Sequence, residues 1–291
     1  MKISIIGSGW VGTMLGKTLA KSHGVIFYDI DKARIEKLKS EGFFGTVDIK
    51  EAVSNSDVSF LCVPTPTADG KIDISYMQSA CENLGSALAD KNGYHFVIVK
   101  STVIPGTCDT IVIPILEKFS KKSVGEHFGV CMNPEFLTEI SGSWTKSDEF
   151  SRTPETEEKF VIGESDKRAG DILEQLYAPF NKPIFRTDLK TAEFIKYASN
   201  CCLASRISFW NEMFLVCQKT GVDSDCVAKI VGMDKRIGTY GTVHGKAFGG
   251  KCLPKDLKAF ISCIEKFHEP VLLKAVDEIN ERMKAKYGVR E

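Results

Sequence analysis

The sequence predicts an α/β protein in which a doubly wound parallel sheet is followed by an all-helical domain. Over the first two-thirds of the chain, short apolar runs alternate with amphipathic helical stretches, which is the pattern of a parallel sheet covered by helices on both faces. A glycine-rich turn at residues 7–12 follows the first apolar run at once. Beyond residue 188 long helical runs replace this alternation. We therefore expect two domains, residues 1–188 and residues 189–291.

The elements follow from local pattern. Strands are expected where short runs are apolar, at Lys2–Ile6, Val25–Tyr28, Val58–Val63, Phe96–Lys100, Phe128–Met132, Phe160–Ile162 and Pro183–Phe185. Helices are expected between them, for example at Val11–Lys21 and Lys32–Lys39. The second domain is predicted to consist of helices at Leu189–Thr220, Ser224–Val231, Asp256–Phe267 and Val271–Tyr287. The polar run Ser141–Glu158 is expected to be a surface loop.

The composition is that of an ordinary soluble globular protein. Lys plus Arg and Asp plus Glu both number 38 among 291 residues, so net charge gives no reason to expect nucleic acid or an anionic membrane as partner. No apolar run approaches the ~18 residues of a membrane span, and the N-terminus lacks the pattern of a signal peptide. The ten cysteines form no CxxC pair, which indicates reduced thiols. We expect a cytoplasmic protein.

The turn after the first strand fits the dinucleotide fingerprint G-x-G-x-x-G, with Gly7, Gly9 and Gly12 at the glycine positions and Trp10 and Val11 between them. Because the motif follows a strand and opens a helix, its glycines permit a tight turn and the approach of a pyrophosphate to the helix N-terminus. The first domain is therefore predicted to be of the Rossmann type. A flavin or a non-redox nucleotide on the same fold is the alternative.

The predicted cofactor is NAD. Asp29 ends the second strand, 22 residues after Gly7, where a carboxylate accepts hydrogen bonds from the ribose hydroxyls and repels a 2′-phosphate. Lys32 and Arg34 lie nearby and weaken this preference. Ligands of such sheets bind beyond the carboxyl ends of the strands. Further cofactor contacts are therefore expected after the third and fourth predicted strands, at Val63, Pro64, Thr65, Thr67, Ser101 and Thr102, with plain β–α turns as the alternative.

Cys252 lies in a block, Gly249 to Asp256, that suggests covalent catalysis. An enzyme that oxidises an alcohol to an acid must hold the aldehyde between two hydride transfers, and a thiol nucleophile does this. The lysines at 251 and 255 would lower the pKa of a nearby thiol, and Asp256 could act as a base toward water.

Lys196 and Asn200 are spaced i, i+4 on the long predicted helix, so that both project from one face. Together they could stabilise an oxyanion on a substrate carbon, although a solvated lysine and a surface asparagine fit the spacing too. Glu135 and Glu139 lie in a loop after a strand, where helix capping is the alternative. No cluster of His, Cys or Asp has the spacing of metal ligands, so we expect no metal.

These segments together resemble the UDP-glucose/GDP-mannose dehydrogenase family over almost the whole chain. The matching segments are Gly7–Gly12, Cys62–Pro66, Ser101–Val103, Pro134–Leu137, Ile195–Asn200, Arg236–Gly238, Gly249–Asp256 and Asn280–Arg282. The resemblance implies oxidation of C6 of a nucleotide sugar by two NAD and one water, with UDP-glucose as the expected substrate. It also implies a homodimer formed through the helical domain.

The resemblance also implies residue roles. Cys252 would form a thiohemiacetal and then a thioester, and Lys196 and Asn200 would stabilise the oxyanions. Water and proton transfer would be organised by Thr102, Glu139 and Asp256, with Glu139 or Asp256 as the base. The sugar nucleotide would be lined by Glu135, Phe136, Leu137, Lys196, Asn200, Arg236, Gly245 and Gly249.

The sequence departs from the family pattern in three places. The family continues into another α/β domain that covers the nucleotide, so weaker binding of uridine is expected here. His244 and Ala247 stand where proline and glycine are usual, and Gly142–Lys159 differs from a shorter connection. Two other functions remain open, a two-electron hydroxyacid dehydrogenase and a non-catalytic NAD-binding remnant that acts with a full-length partner.

Overall fold

The computed structural model describes residues 1–68, 70–138, 144–145 and 150–290. The chain divides into two compact units. The first, the sheet unit, comprises Met1–Pro66, Asp73–Phe136 and Thr153–Lys196. The second, the helical unit, comprises Thr67–Ile72, Leu137–Arg152 and Tyr197–Glu291. The assignment of functional domains to residues 1–188 and 189–291 stays a prediction.

Twelve strands and ten α-helices lie in the described ranges. The strands are β1 (Lys2–Ile6), β2 (Gly24–Tyr28), β3 (Phe44–Thr46), β4 (Val58–Leu61), β5 (Thr67–Ala68), β6 (Lys71–Ile72), β7 (His95–Val99), β8 (Phe128–Met132), β9 (Phe160–Glu164), β10 (Ile184–Asp188), β11 (Ala247–Phe248) and β12 (Val289–Arg290). The helices are α1 (Trp10–Leu19), α2 (Lys32–Ser40), α3 (Ile49–Ser54), α4 (Ser75–Ala89), α5 (Ile113–Ser120), α6 (Lys167–Tyr177), α7 (Leu189–Thr220), α8 (Ser224–Val231), α9 (Leu253–Ile264) and α10 (Val271–Tyr287).

Eight strands form one sheet in the order β10-β9-β8-β7-β4-β1-β2-β3. Six neighbouring strands of this sheet, β8, β7, β4, β1, β2 and β3, run parallel to one another, which confirms the predicted Rossmann-type sheet. At one edge the sheet is mixed, because β9 pairs antiparallel with β8, and β10 runs parallel to β9. No α-helix among the described residues connects β8 to β9. β9 therefore enters the sheet at the carboxyl end of β8 and runs in the opposite direction.

Helices cover both faces of the sheet because side chains alternate along each strand. In β1, Ile3 and Ile5 join one buried cluster and Ile6 joins the other. The first cluster includes Leu84 of α4, and the second includes Leu15 of α1. The strands are therefore buried on both sides, as the apolar runs predicted.

The helical unit is built mainly from the chain after Lys196, where α7 has the limits that the sequence predicts. It is not all-helical. β11 pairs in parallel with β12, and β5 forms an antiparallel hairpin with β6. Asn280 of α10 holds the extended backbone at Phe248 of β11. Its Oδ1 accepts from the Phe248 N–H at 2.8 Å, and its Nδ2 donates to the Phe248 carbonyl at 3.1 Å. In the described residues no helix has the length and apolar character needed to cross a membrane.

Candidate active site

The glycine turn of the sheet unit fits a dinucleotide pyrophosphate. Gly7 has a φ of +97°, and a Cβ there would lie 2.7 Å from the carbonyl oxygen of Cys62. A Cβ on Gly12 would lie 2.1 Å from the carbonyl oxygen of Gly7. Neither position tolerates a side chain. Gly9 precedes α1 without a side-chain cap, which leaves the helix N-terminus to a phosphate.

Asp29 lies where the ribose hydroxyls are expected. Its Oδ2 accepts from the Ser8 N–H at 2.7 Å, and its Oδ1 accepts from the Asp31 N–H at 2.9 Å. Arg34 contacts the same carboxylate, with Nη1 at 3.5 Å, and also pairs with Asp31. The guanidinium therefore lies beside the residue that is predicted to exclude a 2′-phosphate, whereas Lys32 is exposed at the start of α2.

The segments after β4 and β7 are joined at the carboxyl edge of the sheet. Ser101 Oγ donates to the carbonyl of Val63 at 2.6 Å, and Thr65 Oγ1 donates to the carbonyl of Thr102 at 2.9 Å. The structure thus brings four of the predicted cofactor residues together, beside Pro64. Thr67 lies apart from them in the helical unit, where its Oγ1 donates to the carbonyl of Lys255 at 3.3 Å.

Lys196 is buried in an ion pair. Its ammonium donates to the Glu135 carbonyl at 2.7 Å and to Glu135 Oε1 at 3.0 Å, with the two side chains 3% and 7% exposed. The ammonium also lies 5.6 Å from the centre of the Phe136 ring. The alternative interpretation of Lys196 as a solvated lysine is therefore wrong. A buried ion pair of this kind is expensive to desolvate, and such sites are often functional.

Four further buried polar residues of the sheet unit were not predicted as site residues. Lys100 Nζ donates to Asn133 Oδ1 at 2.9 Å, and the Tyr177 hydroxyl donates to the same oxygen at 2.6 Å. Glu157 is only 2% exposed, and burial raises its pKa. The position of Lys100 at the end of a buried strand could have indicated a buried, functional lysine. Glu157 lies within the polar run Ser141–Glu158, and nothing in that run indicated a buried carboxyl group.

Cys252, Asn200 and Asp256 are connected in the helical unit. Cys252 is the N-cap residue of α9 and is half-buried. Its carbonyl accepts from the Asp256 N–H at 2.9 Å. The Asp256 carboxylate is 1% exposed and accepts from Asn200 Nδ2 at 2.6 Å and from Lys255 Nζ at 2.5 Å. Asn200 is itself buried, so a surface asparagine is wrong.

The loop before Cys252 is anchored to α7. Asn211 Oδ1 accepts from the Gly245 N–H at 2.9 Å, and Gly245 has a φ of +91°. A Cβ on Gly249 would lie 2.2 Å from Val289 Cγ1, so this position must be small. Arg236 is 88% exposed and pairs with Asp234.

The remaining predicted site residues are Trp10, Val11, Leu137 and Glu139. Trp10 is 42% exposed at the start of α1, next to the half-buried Val11. Leu137 is half-buried in the helical unit. Glu139 lies outside the described residues. Within the described ranges no three His, Cys, Asp or Glu side chains are grouped to hold a metal ion, and the absence of a metal stays a prediction.

Two family models match the chain. Residues 1–43 and 36–181 match the NAD binding domain of the UDP-glucose/GDP-mannose dehydrogenase family, and residues 190–282 match its central domain. The cofactor of this chain is therefore NAD. The glycine turn and Asp29 fit that cofactor.

Known relatives agree with this match. A GDP-mannose 6-dehydrogenase from Pseudomonas aeruginosa is 38% identical over 283 residues, which cover 89% of this chain and 63% of that protein. A UDP-glucose 6-dehydrogenase from Haloferax volcanii is 36% identical over 308 residues, covering 97% and 70%. The chain thus spans less than two-thirds of the length of the first of these relatives.

Solved structures agree as well. The structure of a UDP-glucose dehydrogenase from Pyrobaculum islandicum has a TM-score of 0.87 at 34% identity and covers 98% of this chain and 68% of its own. A 3-hydroxyisobutyrate dehydrogenase from Mycobacterium tuberculosis, at 14% identity and a TM-score of 0.70, shows a shared fold alone. The hydroxyacid alternative is therefore not favoured, and the chain belongs to the UDP-glucose/GDP-mannose dehydrogenase family.

Proposed function

We propose that this chain oxidises C6 of a nucleotide sugar in an NAD-dependent four-electron reaction, converting UDP-glucose to UDP-glucuronate. The observation that carries the proposal is the cluster at the start of α9. There the half-buried Cys252 lies one turn before a buried Asp256, which is held by Asn200 and Lys255. A two-electron dehydrogenase has no use for this thiol.

The first step is oxidation of the alcohol. NAD, when bound, accepts a hydride from C6, and the hydroxyl proton passes to a base. We assign stabilisation of the developing oxyanion to Lys196, whose ammonium is fixed by Glu135. A fixed donor costs no reorganisation during the reaction, and burial strengthens its effect.

The second half of the reaction is assigned to Cys252. Its thiolate would add to the aldehyde carbon, and the alkoxide formed would be protonated to a thiohemiacetal. The thiohemiacetal would then give its hydroxyl proton to a base and a hydride to a second NAD, which leaves a thioester on Cys252. Water then attacks the thioester carbon, and the C–S bond breaks to release the carboxylate and the thiol. Asp256 is assigned to accept the proton of this water, with Glu139 as the second candidate for the base. Asn200 Nδ2 holds the Asp256 carboxylate in place at 2.6 Å.

GDP-mannose is the second candidate substrate. The Pseudomonas aeruginosa relative, which is a GDP-mannose 6-dehydrogenase, is 38% identical, against 36% for the Haloferax volcanii UDP-glucose 6-dehydrogenase. The residues proposed for the chemistry act on C6, a carbon that both sugars carry, and so do not discriminate between UDP-glucose and GDP-mannose. A panel of UDP- and GDP-sugars, assayed by initial NADH release, decides between the two. NADH release with none of them would overturn the proposal.

We also propose that the chain forms a homodimer through α7 and α8. Phe209 and Val216 lie two turns apart on α7 and are each about half exposed, at 51% and 50%. Ile230 of α8 and Met233 beyond it are 61% and 76% exposed. Exposed apolar side chains of this number mark an interaction surface.

All ten cysteines are free, which supports a reducing, cytoplasmic location.

A further inference from the structure

Glu157 is a buried carboxyl group that none of the steps above uses. It is 2% exposed, and its Oε2 has no hydrogen-bond partner among the described residues. The carboxyl group accepts a hydrogen bond from the Phe136 N–H. A buried carboxyl oxygen without a partner is costly, so the position calls for a physical reason.

The charged neighbours of Glu157 supply that reason. Its carboxyl group interacts electrostatically with Lys100, which follows β7, with Glu135 in the loop after β8 and with Lys196 of α7. The negative charge of Glu157 also helps to raise the pKa of the Tyr177 hydroxyl of α6, for which burial is the main cause. Glu157 thus interacts electrostatically with both partners of the buried ion pair, and it accepts a hydrogen bond from the N–H of Phe136, the residue that follows Glu135.

The charge balance of this cluster depends on Glu157. Two ammonium groups, those of Lys100 and Lys196, are 2% and 3% exposed. The hydrogen bonds recorded for Lys100 are to neutral oxygens of Asn133 and Pro134. With Glu157 ionised, the two carboxylates balance the two ammonium groups. With Glu157 neutral, the cluster carries an excess positive charge.

We propose that Glu157 is a positioning residue of the Glu135–Lys196 pair, and that its own charge sets the pH range in which this pair works. The inference rests on the proposed function, which assigns the pair to oxyanion stabilisation. An anionic Glu157 favours the protonated form of both partners, whereas a neutral group at this position does not. Burial raises the pKa of Glu157 and brings its titration closer to the working range.

The test is the pH dependence of kcat for NADH release by the full chain with UDP-glucose. Glu157→Gln keeps an acceptor for the Phe136 N–H and removes the charge. The alkaline limit of kcat, where Glu157 of the wild type is ionised, should move to lower pH by about one unit, as expected for the loss of a negative charge, whereas the acid limit should stay in place because Glu157 is neutral there. Glu158→Gln, a change of the exposed neighbour, should leave the profile of the wild type unchanged. A Glu157→Gln profile that superimposes on that of the wild type would overturn the inference.

A second readout needs neither substrate nor cofactor. Because the folded pKa of Glu157 is raised, the native wild type keeps a proton that the unfolded chain loses above about pH 4.5, and its stability falls as pH rises through that window. The melting temperature of Glu157→Gln relative to the wild type should therefore rise between pH 4.5 and 7. A pH-independent difference would contradict the inference. If no nucleotide sugar yields NADH, the proposed function fails, and this measurement still decides whether Glu157 titrates as described.

Discussion

At the scale of single residues, Asp29 decides between two dinucleotides. It holds the Ser8 and Asp31 N–H groups and keeps Arg34 within 3.5 Å. Asp29→Ala should therefore lower the preference for NAD over NADP, measured as the ratio of kcat/KM values, by about tenfold, or about 1.4 kcal/mol. The like charge is lost, and Arg34 becomes available to a 2′-phosphate.

The matched control for this change is Asp31→Asn. The asparagine keeps the cap that Asp31 provides to the Ala33 N–H at the start of α2, and it removes a charge that also contacts Arg34. Its NAD preference should stay near that of the wild type. Equal kcat/KM values for NAD and NADP in the wild type would show that the role given to Asp29 is wrong.

Cys252 should be the first of the ten thiols to be alkylated by limiting iodoacetamide, as read by mass spectrometry. It caps the N-terminus of α9, where the helix dipole favours a thiolate. Its competitors are the exposed Cys202 and Cys226. Burial raises the pKa of Cys62 and of Cys81 to about 12, so these thiols should react late.

The functional counterpart is loss of NADH formation in Cys252→Ala, with Cys226→Ala as the control that keeps it. The two outcomes together address the covalent mechanism. Earlier labelling of Cys202 or Cys226, combined with full NADH formation by Cys252→Ala, would refute it.

At the scale of elements, a buried polar chain joins the central strands. Ser4 Oγ of β1 lies 2.6 Å from Ser59 Oγ of β4, which lies 2.8 Å from His95 Nε2 of β7. Burial lowers the pKa of His95 to about 3. The native imidazole therefore stays neutral under conditions in which the unfolded chain takes up a proton.

This arrangement predicts acid sensitivity. Stability should be complete above about pH 6.5 and should fall toward pH 3, with His95 contributing a slope of up to about 1.4 kcal/mol per pH unit. Urea unfolding from pH 7 to 4 should show a flatter dependence for His95→Gln than for the wild type. His127→Gln, at an exposed histidine, is the control. An unchanged slope in His95→Gln would contradict the assignment.

The limits of several elements could be predicted from the sequence, and others could not. The limits of α7 and α10 follow from periodicity and from the glycines beyond them. β3 was missed because its three residues, Phe44–Thr46, are too few to show an alternation of apolar and polar side chains, and the central one is a glycine. The reversed direction of β9 was also missed, because strand composition does not encode direction.

Site residues divide in the same way. Gly7, Gly12 and Asp29 belong to a motif whose spacing is fixed by local backbone geometry, and this made them predictable. Glu157 is buried by tertiary packing of a polar segment, which local sequence does not encode. The ion pair of Lys196 with Glu135 links residues 61 positions apart and lay beyond spacing arguments for the same reason.

At the scale of the whole molecule, the apolar surface of α7 and α8 predicts a dimer. Light scattering should give about twice the chain mass of 32.2 kDa. Phe209→Glu should shift the mass toward that of one chain, because the charge opposes burial of the surface. Phe44→Glu, at a 79% exposed residue of the edge strand β3, is the control and should stay dimeric. A wild type with the mass of one chain would exclude this interface.

We propose that one chain oxidises its substrate by four electrons through Cys252. The most direct test is the amount of NADH released per nucleotide sugar consumed, measured to completion with limiting UDP-glucose and excess NAD. Two NADH per sugar and a uronate product are expected. One NADH per sugar, with an aldehyde as product, would contradict the thioester route, and no NADH with any nucleotide sugar would contradict catalysis by this chain.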